Sequence, residues 1–150
     1  MTNFKVKFID AGFGEKSKNS YAIVELGKKR YSATVTLAKE DEDKVSKLRG
    51  PRFAEMKAEI RALKGQLRIE KEKCNECRNF VKALECYKEF DKKTKTARCV
   101  YRQLNRRINN VNVLIAMINQ KQQDYVTAVH QSDIVTKAIE SYMDSGVYLY

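Results

Sequence analysis

The sequence predicts an α+β fold, because a β-rich first quarter is followed by a long stretch with helical periodicity. Residues 1–40 contain segments in which apolar and polar side chains alternate, whereas residues 51–129 repeat their apolar residues at steps of three and four. Pro51 lies where the period changes, and proline is common in the first turn of a helix. We therefore predict one 150-residue domain with a sheet at 1–40, a helical hairpin at 51–129 and a C-terminal helix and tail at 132–150.

Three strands are predicted in the first part. Phe4, Val6 and Phe8 alternate with lysines, as in a half-buried strand. Residues 11–20 are rich in turn formers and are expected to form a mobile connection. Two further strands, at 21–26 and 30–37, are joined across a glycine-containing segment typical of a short hairpin. The simplest topology is a small antiparallel meander whose apolar face is covered by the helices.

Two apolar seams predict two long helices. The first extends from Phe53 to Leu84 with one charged interruption at Glu70, and the second extends from Ala97 to Val129. The segment between them is polar, and Thr94 or Thr96 is expected to cap the second helix. This pattern favours a coiled-coil-like antiparallel hairpin. The alternative is one uninterrupted rod that pairs with a second copy to form a homodimer.

A third, shorter helix is predicted at the C-terminus. Ser132 and Asp133 are capping residue types, and the apolar residues that follow them are spaced as one helix stripe. Gly146 is expected to end this helix. The apolar tail, residues 147–150, is expected to be held against the protein, for instance as an added strand.

The charge of the chain is concentrated in one region. The formal net charge is +11 at pH 7, and residues 92–123 include eight basic side chains and no acidic one. Arg98, Arg102 and Arg106 are spaced at i, i+4 and i+8, so they share one face of a helix. The full basic set is Lys92, Lys93, Lys95, Arg98, Arg102, Arg106, Arg107 and Lys121.

This arrangement points to a polyanion. The positive end of the helix dipole lies at the N-terminus, and like charges at i+4 repel, so folding alone would not select these residues. Phosphate contacts would offset both effects, and the helix also contains many amide side chains that bind phosphates, sugars or bases. We predict a nucleic-acid-binding surface formed by Lys92, Lys93, Lys95, Arg98, Arg102, Arg106 and Arg107.

Other interpretations of the basic residues stay open. Glu85 and Glu89 on the first helix are placed to neutralise Arg102 and Arg98. In that case the hairpin would be a purely structural arm. An acidic protein partner would fit the same charge, as in phage or mobile-element proteins that block a nucleic-acid-processing machine. No base-reading motif is present, so DNA and RNA are not distinguished.

The first strand offers a third functional hypothesis. Residues 9–14, Ile-Asp-Ala-Gly-Phe-Gly, followed by residues 21–25, resemble the opening of actin-like ATPases and RuvC-like nucleases. In those families the aspartate that closes the first strand handles a metal or a metal-bound phosphate. The resemblance implies a metal-dependent nuclease that uses Asp10. Such a site needs further carboxylates, for which Glu140 and Asp144 are the late candidates.

The four cysteines are expected to be free thiols. Cys74 and Cys77 have the C-x-x-C spacing of zinc and redox sites, but both also occupy apolar seam positions. Zinc binding would require the first helix to break near Lys73, because Cys86 lies too far along a continuous helix. His130 is the sole histidine, so few residues are available for a histidine-based catalytic triad. We predict no cofactor and no enzymatic activity.

The sequence gives no sign of a membrane or secretory protein. No N-terminal apolar segment of signal-peptide type is seen, and no apolar run reaches the length that spans a bilayer. We therefore expect a soluble, intracellular, cytoplasmic protein without a membrane partner.

Overall fold

The protein has an α+β fold in which a three-stranded antiparallel sheet is followed by two helices. The computed structural model describes residues 4–13, 19–36 and 44–144. The elements are β1 (Lys7–Phe13), β2 (Asn19–Leu26), β3 (Lys29–Thr36), α1 (Lys44–Glu85) and α2 (Lys95–Asp144). The predicted fold class and the three strands predicted in the first part of the chain are confirmed among the residues that the structure describes.

The central strand β2 supplies much of the buried face of the sheet. The strand order is β1-β2-β3, and every second residue of β2 from Ser20 to Leu26 is buried. Leu26 pairs with Lys29, so a two-residue turn joins β2 to β3. Gly27 opens this turn with a φ of +66°, a conformation that glycine adopts at little cost.

The first strand begins later than its alternation predicts. Phe4 and Val6 pack in or against the core but precede β1, and the pairing with β2 shifts between Phe8 and Asp10. Phe8 pairs with the buried Val24 and so lies on the same face of the sheet, but its side chain is 50% exposed in a depression that Arg52 and Met56 of α1 also line. The predicted connection at 11–20 was too long, since both of its ends belong to paired strands; its middle, residues 14–18, lies outside the described residues.

Helix α1 packs closely on the sheet because its contact face is built from small residues. Ala54, Ala58 and Ala62 follow at intervals of four and are all buried. Gly65 lies against the ring of Tyr31, where an added Cβ would overlap the phenol at 2.5 Å from its oxygen. The helix begins at Lys44, so Pro51 lies within it rather than at its start.

Helix α2 packs on a face of α1 other than the one that contacts the sheet. The contacts join Phe53 to Tyr125, Glu59 to Lys121 and Glu70 to Arg107, so positions that ascend along α1 meet positions that descend along α2. Leu114 and Ile118 of α2 are buried in the shared core. The described helices include no apolar segment long enough to cross a membrane.

The separate C-terminal helix that the sequence predicts is not observed. Helix α2 continues through Ser132 and Asp133 to Asp144. No glycine or proline occurs anywhere in α2, so nothing in the sequence interrupts the helix before Ser132. A residue such as Ser132 or Asp133 can act as an N-cap only where a helix begins. The predicted end at Gly146 and the predicted tail at 147–150 lie outside the described residues.

Candidate nucleic-acid interface

The turn before α2 fixes the start of the basic region. The Ala97 N–H donates to the Thr94 hydroxyl at 3.2 Å, and the Arg98 N–H donates to the Thr94 carbonyl at 3.1 Å. Thr94 is therefore the N-cap, as one of the two sequence alternatives predicted. The Asp91 carboxylate accepts the Lys93 N–H at 2.9 Å, which directs this acid towards the backbone of the turn. Lys92, Lys93 and Lys95 are exposed around this cap.

Three arginines form an exposed row along the first turns of α2. Arg98, Arg102 and Arg106 are all exposed, and the helical rise separates successive members by about 6 Å. Within the described part of the chain, no carboxylate lies within 4.0 Å of any of these guanidinium groups. Their charge is therefore not neutralised by a neighbouring acid in those segments.

A shallow depression of ≈ 420 Å³ lies beside this row. Its lining comes from one stretch of α2 and consists of Cys99, Arg102, Gln103, Arg106, Arg107 and Asn110. Three guanidinium groups and two carboxamides thus border one concave surface. Guanidinium and amide N–H groups are the donors that bind phosphate oxygens in protein complexes with nucleic acid.

Arg107 is held differently from the rest of the predicted site. Its Nη1 lies 3.6 Å from Oε2 of Glu70, and the exposed fractions of the two side chains are 29% and 4%. Gln66 Nε2 donates to Oε1 of the same carboxylate at 3.2 Å. Arg107 is thus the counter-ion of a buried acid. The charged interruption at Glu70 in the first apolar seam was the sequence signal for such a partner.

Glu85, at the end of α1, and Glu89, which lies in the connection rather than in the first helix, do not pair with the arginine row in the described structure, as one sequence interpretation expected. Glu85 accepts a hydrogen bond from the Tyr101 hydroxyl at 2.6 Å. This bond raises the pKa of Tyr101 above its ordinary value, because it stabilises the protonated phenol. No hydrogen bond or ion pair among the described residues joins Glu89 to Arg98. Lys121 pairs with Glu59 at 3.0 Å, well away from the row.

Two exposed aromatic side chains lie at the end of the helix pair where α2 and its basic residues begin, and sequence reasoning did not single them out. Phe80 is 56% exposed near the end of α1, and Tyr87 is 65% exposed in the connection between the helices. Phe90, by contrast, packs at a tilted angle against Tyr101, with ring centroids 6.3 Å apart. The signal for Phe80 was its position outside the apolar seam.

Asp10, on which the nuclease hypothesis rests, makes one local hydrogen bond and belongs to no metal-binding cluster among the described residues. Asp10 accepts a hydrogen bond from the Tyr21 hydroxyl at 3.0 Å, which raises the pKa of Tyr21. In the segments described, no three His, Cys, Asp or Glu residues are placed to hold a metal ion together. The side chains of Glu140 and Asp144 lie outside the description.

The cysteines are free and spread over two helices and the connection. Cys74 is buried, Cys77 is half-buried, and Cys86 and Cys99 are exposed. Helix α1 is continuous through Lys73, where a zinc site would have needed a break. His130 is exposed within α2 rather than between two helices.

Comparison of the chain with protein-family models, with curated proteins and with solved structures finds no match.

Proposed function

We propose that this is a non-enzymatic nucleic-acid-binding protein that contacts phosphates through the start of α2 and the turn before it. We define the basic face as Lys92, Lys93, Lys95, Arg98, Arg102 and Arg106, with the partly neutralised Arg107 at its edge. In this proposal α1 and α2 act as a coiled-coil-like hairpin arm that presents the basic face in the cytoplasm. The observation that carries the proposal is the exposed row of three arginines without a described carboxylate partner.

The energetics of α2 support an anionic partner. Its first turn includes no acid, so basic side chains face the positive end of the helix dipole, at a cost of about 0.3–1 kcal/mol per charge. The i, i+4 repulsion between neighbouring arginines adds a few tenths of a kcal/mol. A bound phosphate backbone would turn both terms into attraction. A protein without such a partner would gain stability from acids at these positions.

The direct test removes the three unpaired arginine charges. In an electrophoretic shift assay, the triple variant Arg98→Gln, Arg102→Gln, Arg106→Gln should bind DNA or RNA roughly 10- to 100-fold more weakly. Exposed charge contacts contribute up to about 1 kcal/mol each, and 1.4 kcal/mol corresponds to tenfold in affinity. Equal binding by the wild type and this variant would contradict the proposal.

A matched control separates the basic face from net charge. The variant Arg52→Gln, Lys64→Gln, Lys137→Gln also loses three exposed charges, none of which belongs to the basic face; its α2 position, Lys137, is about 45 Å along the helix from Arg106. It should bind nearly as well as the wild type. Adding Mg²⁺ to the same reactions tests the nuclease hypothesis, which predicts cleavage that Asp10→Ala abolishes.

A second candidate function is protein binding, with the protein as a module that blocks or bridges nucleic-acid-processing machinery. Val126, Ile134 and Val135 of α2 are all exposed apolar side chains, as at many protein-binding surfaces. Apolar contacts are not screened by salt. A one-to-one protein complex that persists at high salt and needs these residues would favour this candidate.

A further inference from the structure

We infer that the nucleic acid bound at the basic face is single-stranded, and that Phe80 and Tyr87 stack on its bases. This inference rests on the proposed function and specifies its ligand.

The exposed aromatic rings are not explained by the fold. The core cluster and the residues packed against it draw on α1 only as far as Leu67, so Phe80 lies beyond the segment that the sheet covers. Neighbouring Val81 is buried, whereas Phe80 is mostly exposed. Tyr87 is the more exposed of the two and contributes nothing to the core. Water contact with two large rings is unfavourable, and a bound partner would relieve it.

The surroundings of these rings are cationic. Residues 78–98 include seven Lys or Arg residues and three acids. Of the acids, Glu85 is engaged by Tyr101 and Asp91 by the backbone of the turn. Aromatic rings beside uncompensated positive charge match a ligand with a phosphate backbone and flat apolar surfaces.

Single-stranded nucleic acid has this chemistry, because its base faces are open to stacking. In a duplex the base faces are covered by neighbouring pairs, and only edges and phosphates are accessible. Proteins that bind single strands combine a cationic track with aromatic side chains on which bases stack. Here the arginine row supplies the track, and Phe80 and Tyr87 supply the stacking surfaces.

The test compares ligands that differ only in base accessibility. Fluorescence anisotropy is measured for a short single-stranded oligonucleotide, for its duplex, and for an abasic strand of equal charge. The double variant Phe80→Ala, Tyr87→Ala should bind the single strand at least about fivefold more weakly, since each stacked base contributes roughly 5- to 100-fold in affinity. Its binding to the duplex and to the abasic strand should not change. Val126→Ala, which shortens another exposed apolar side chain, is the matched control and should have no effect.

The outcomes separate this inference from the proposed function. If the arginine variant loses binding while the aromatic variant binds the single strand like the wild type, the stacking inference is wrong and the phosphate contacts stand. If the wild type binds neither single strand nor duplex, both proposals fail. If the aromatic variant instead loses a protein partner at unchanged oligonucleotide affinity, the rings belong to a protein interface and the inference is overturned. Circular dichroism checks that each variant is folded.

Discussion

The ion pair between Glu70 and Arg107 offers the sharpest test of how α1 and α2 are held together. In the variant Arg107→Met, Glu70 would keep its hydrogen bond from Gln66 but would lose its counter-ion. Because the Glu70 side chain is only 4% exposed, water cannot replace the lost partner. We expect Arg107→Met to destabilise the protein markedly.

The magnitude follows from burial and distance. Removing one partner of a fully buried ion pair typically costs about 3–5 kcal/mol. Here the Arg107 side chain is 29% exposed and the shortest N···O distance is 3.6 Å, so the pair is weaker than a buried hydrogen-bonded one. We therefore expect about 2–3 kcal/mol, which corresponds to a fall in Tm of roughly 4–12 °C for a chain of this size.

Urea unfolding followed by circular dichroism measures this loss. The matched control is Arg68→Met, which breaks an exposed i, i+4 pair with Glu72 at 3.7 Å and should cost less than about 0.5 kcal/mol. Adding Glu70→Met to Arg107→Met should restore at least about 1 kcal/mol, because no buried charge then remains. The reasoning is refuted if Arg107→Met and Arg68→Met unfold at the same urea concentration, or if the double variant is less stable than Arg107→Met.

Three further substitutions test individual contacts. Gly65→Ala should destabilise by about 1–3 kcal/mol in urea unfolding, although alanine normally favours a helix, because its Cβ would overlap the Tyr31 ring; a gain in stability would show that the ring moves away freely. Thr94→Ala should cost about 1 kcal/mol through loss of the N-cap, and Thr94→Ser should restore most of it. The bond from Tyr101 to Glu85 raises the pKa of the phenol, so its stabilisation is complete below the ordinary pKa of 10.0 and is lost as the pH rises through the raised value. Tyr101→Phe should therefore be less stable than the wild type at neutral pH, and this difference should shrink in strongly alkaline solution.

Local sequence patterns predicted the parts of the fold that depend on local physics. The alternation along β2, the glycine in the β2–β3 turn and the capping side chain of Thr94 act over only a few residues. Features that depend on tertiary contacts were missed or misplaced. The late start of β1 depends on where its partner ends: Lys7 pairs with Glu25, one residue before the end of β2, and the alternation of Phe4, Val6 and Phe8 does not reveal this limit. The capping potential of Ser132 was misleading because α2 does not end there.

In the candidate site, too, local sequence predicted some features and tertiary contacts determined the others. The shared face of Arg98, Arg102 and Arg106 follows from helical spacing alone. The different role of Arg107 depends on which residue of α1 lies opposite, and the sequence revealed the charge at Glu70 but not its partner. The exposure of Tyr87 depends on the path of the connection between the helices, which local propensities do not determine.

The salt dependence of binding tests the central claim, that the unpaired arginines contact phosphates, most directly. The affinity of the wild type for an oligonucleotide is measured over a range of salt concentrations and compared with that of the variant Arg98→Gln, Arg102→Gln, Arg106→Gln. Each lost phosphate contact should lower the slope of log K against log salt by about 0.7–0.9, so the variant should show a slope shallower by about 2–3. Identical slopes for the two proteins would contradict the claim.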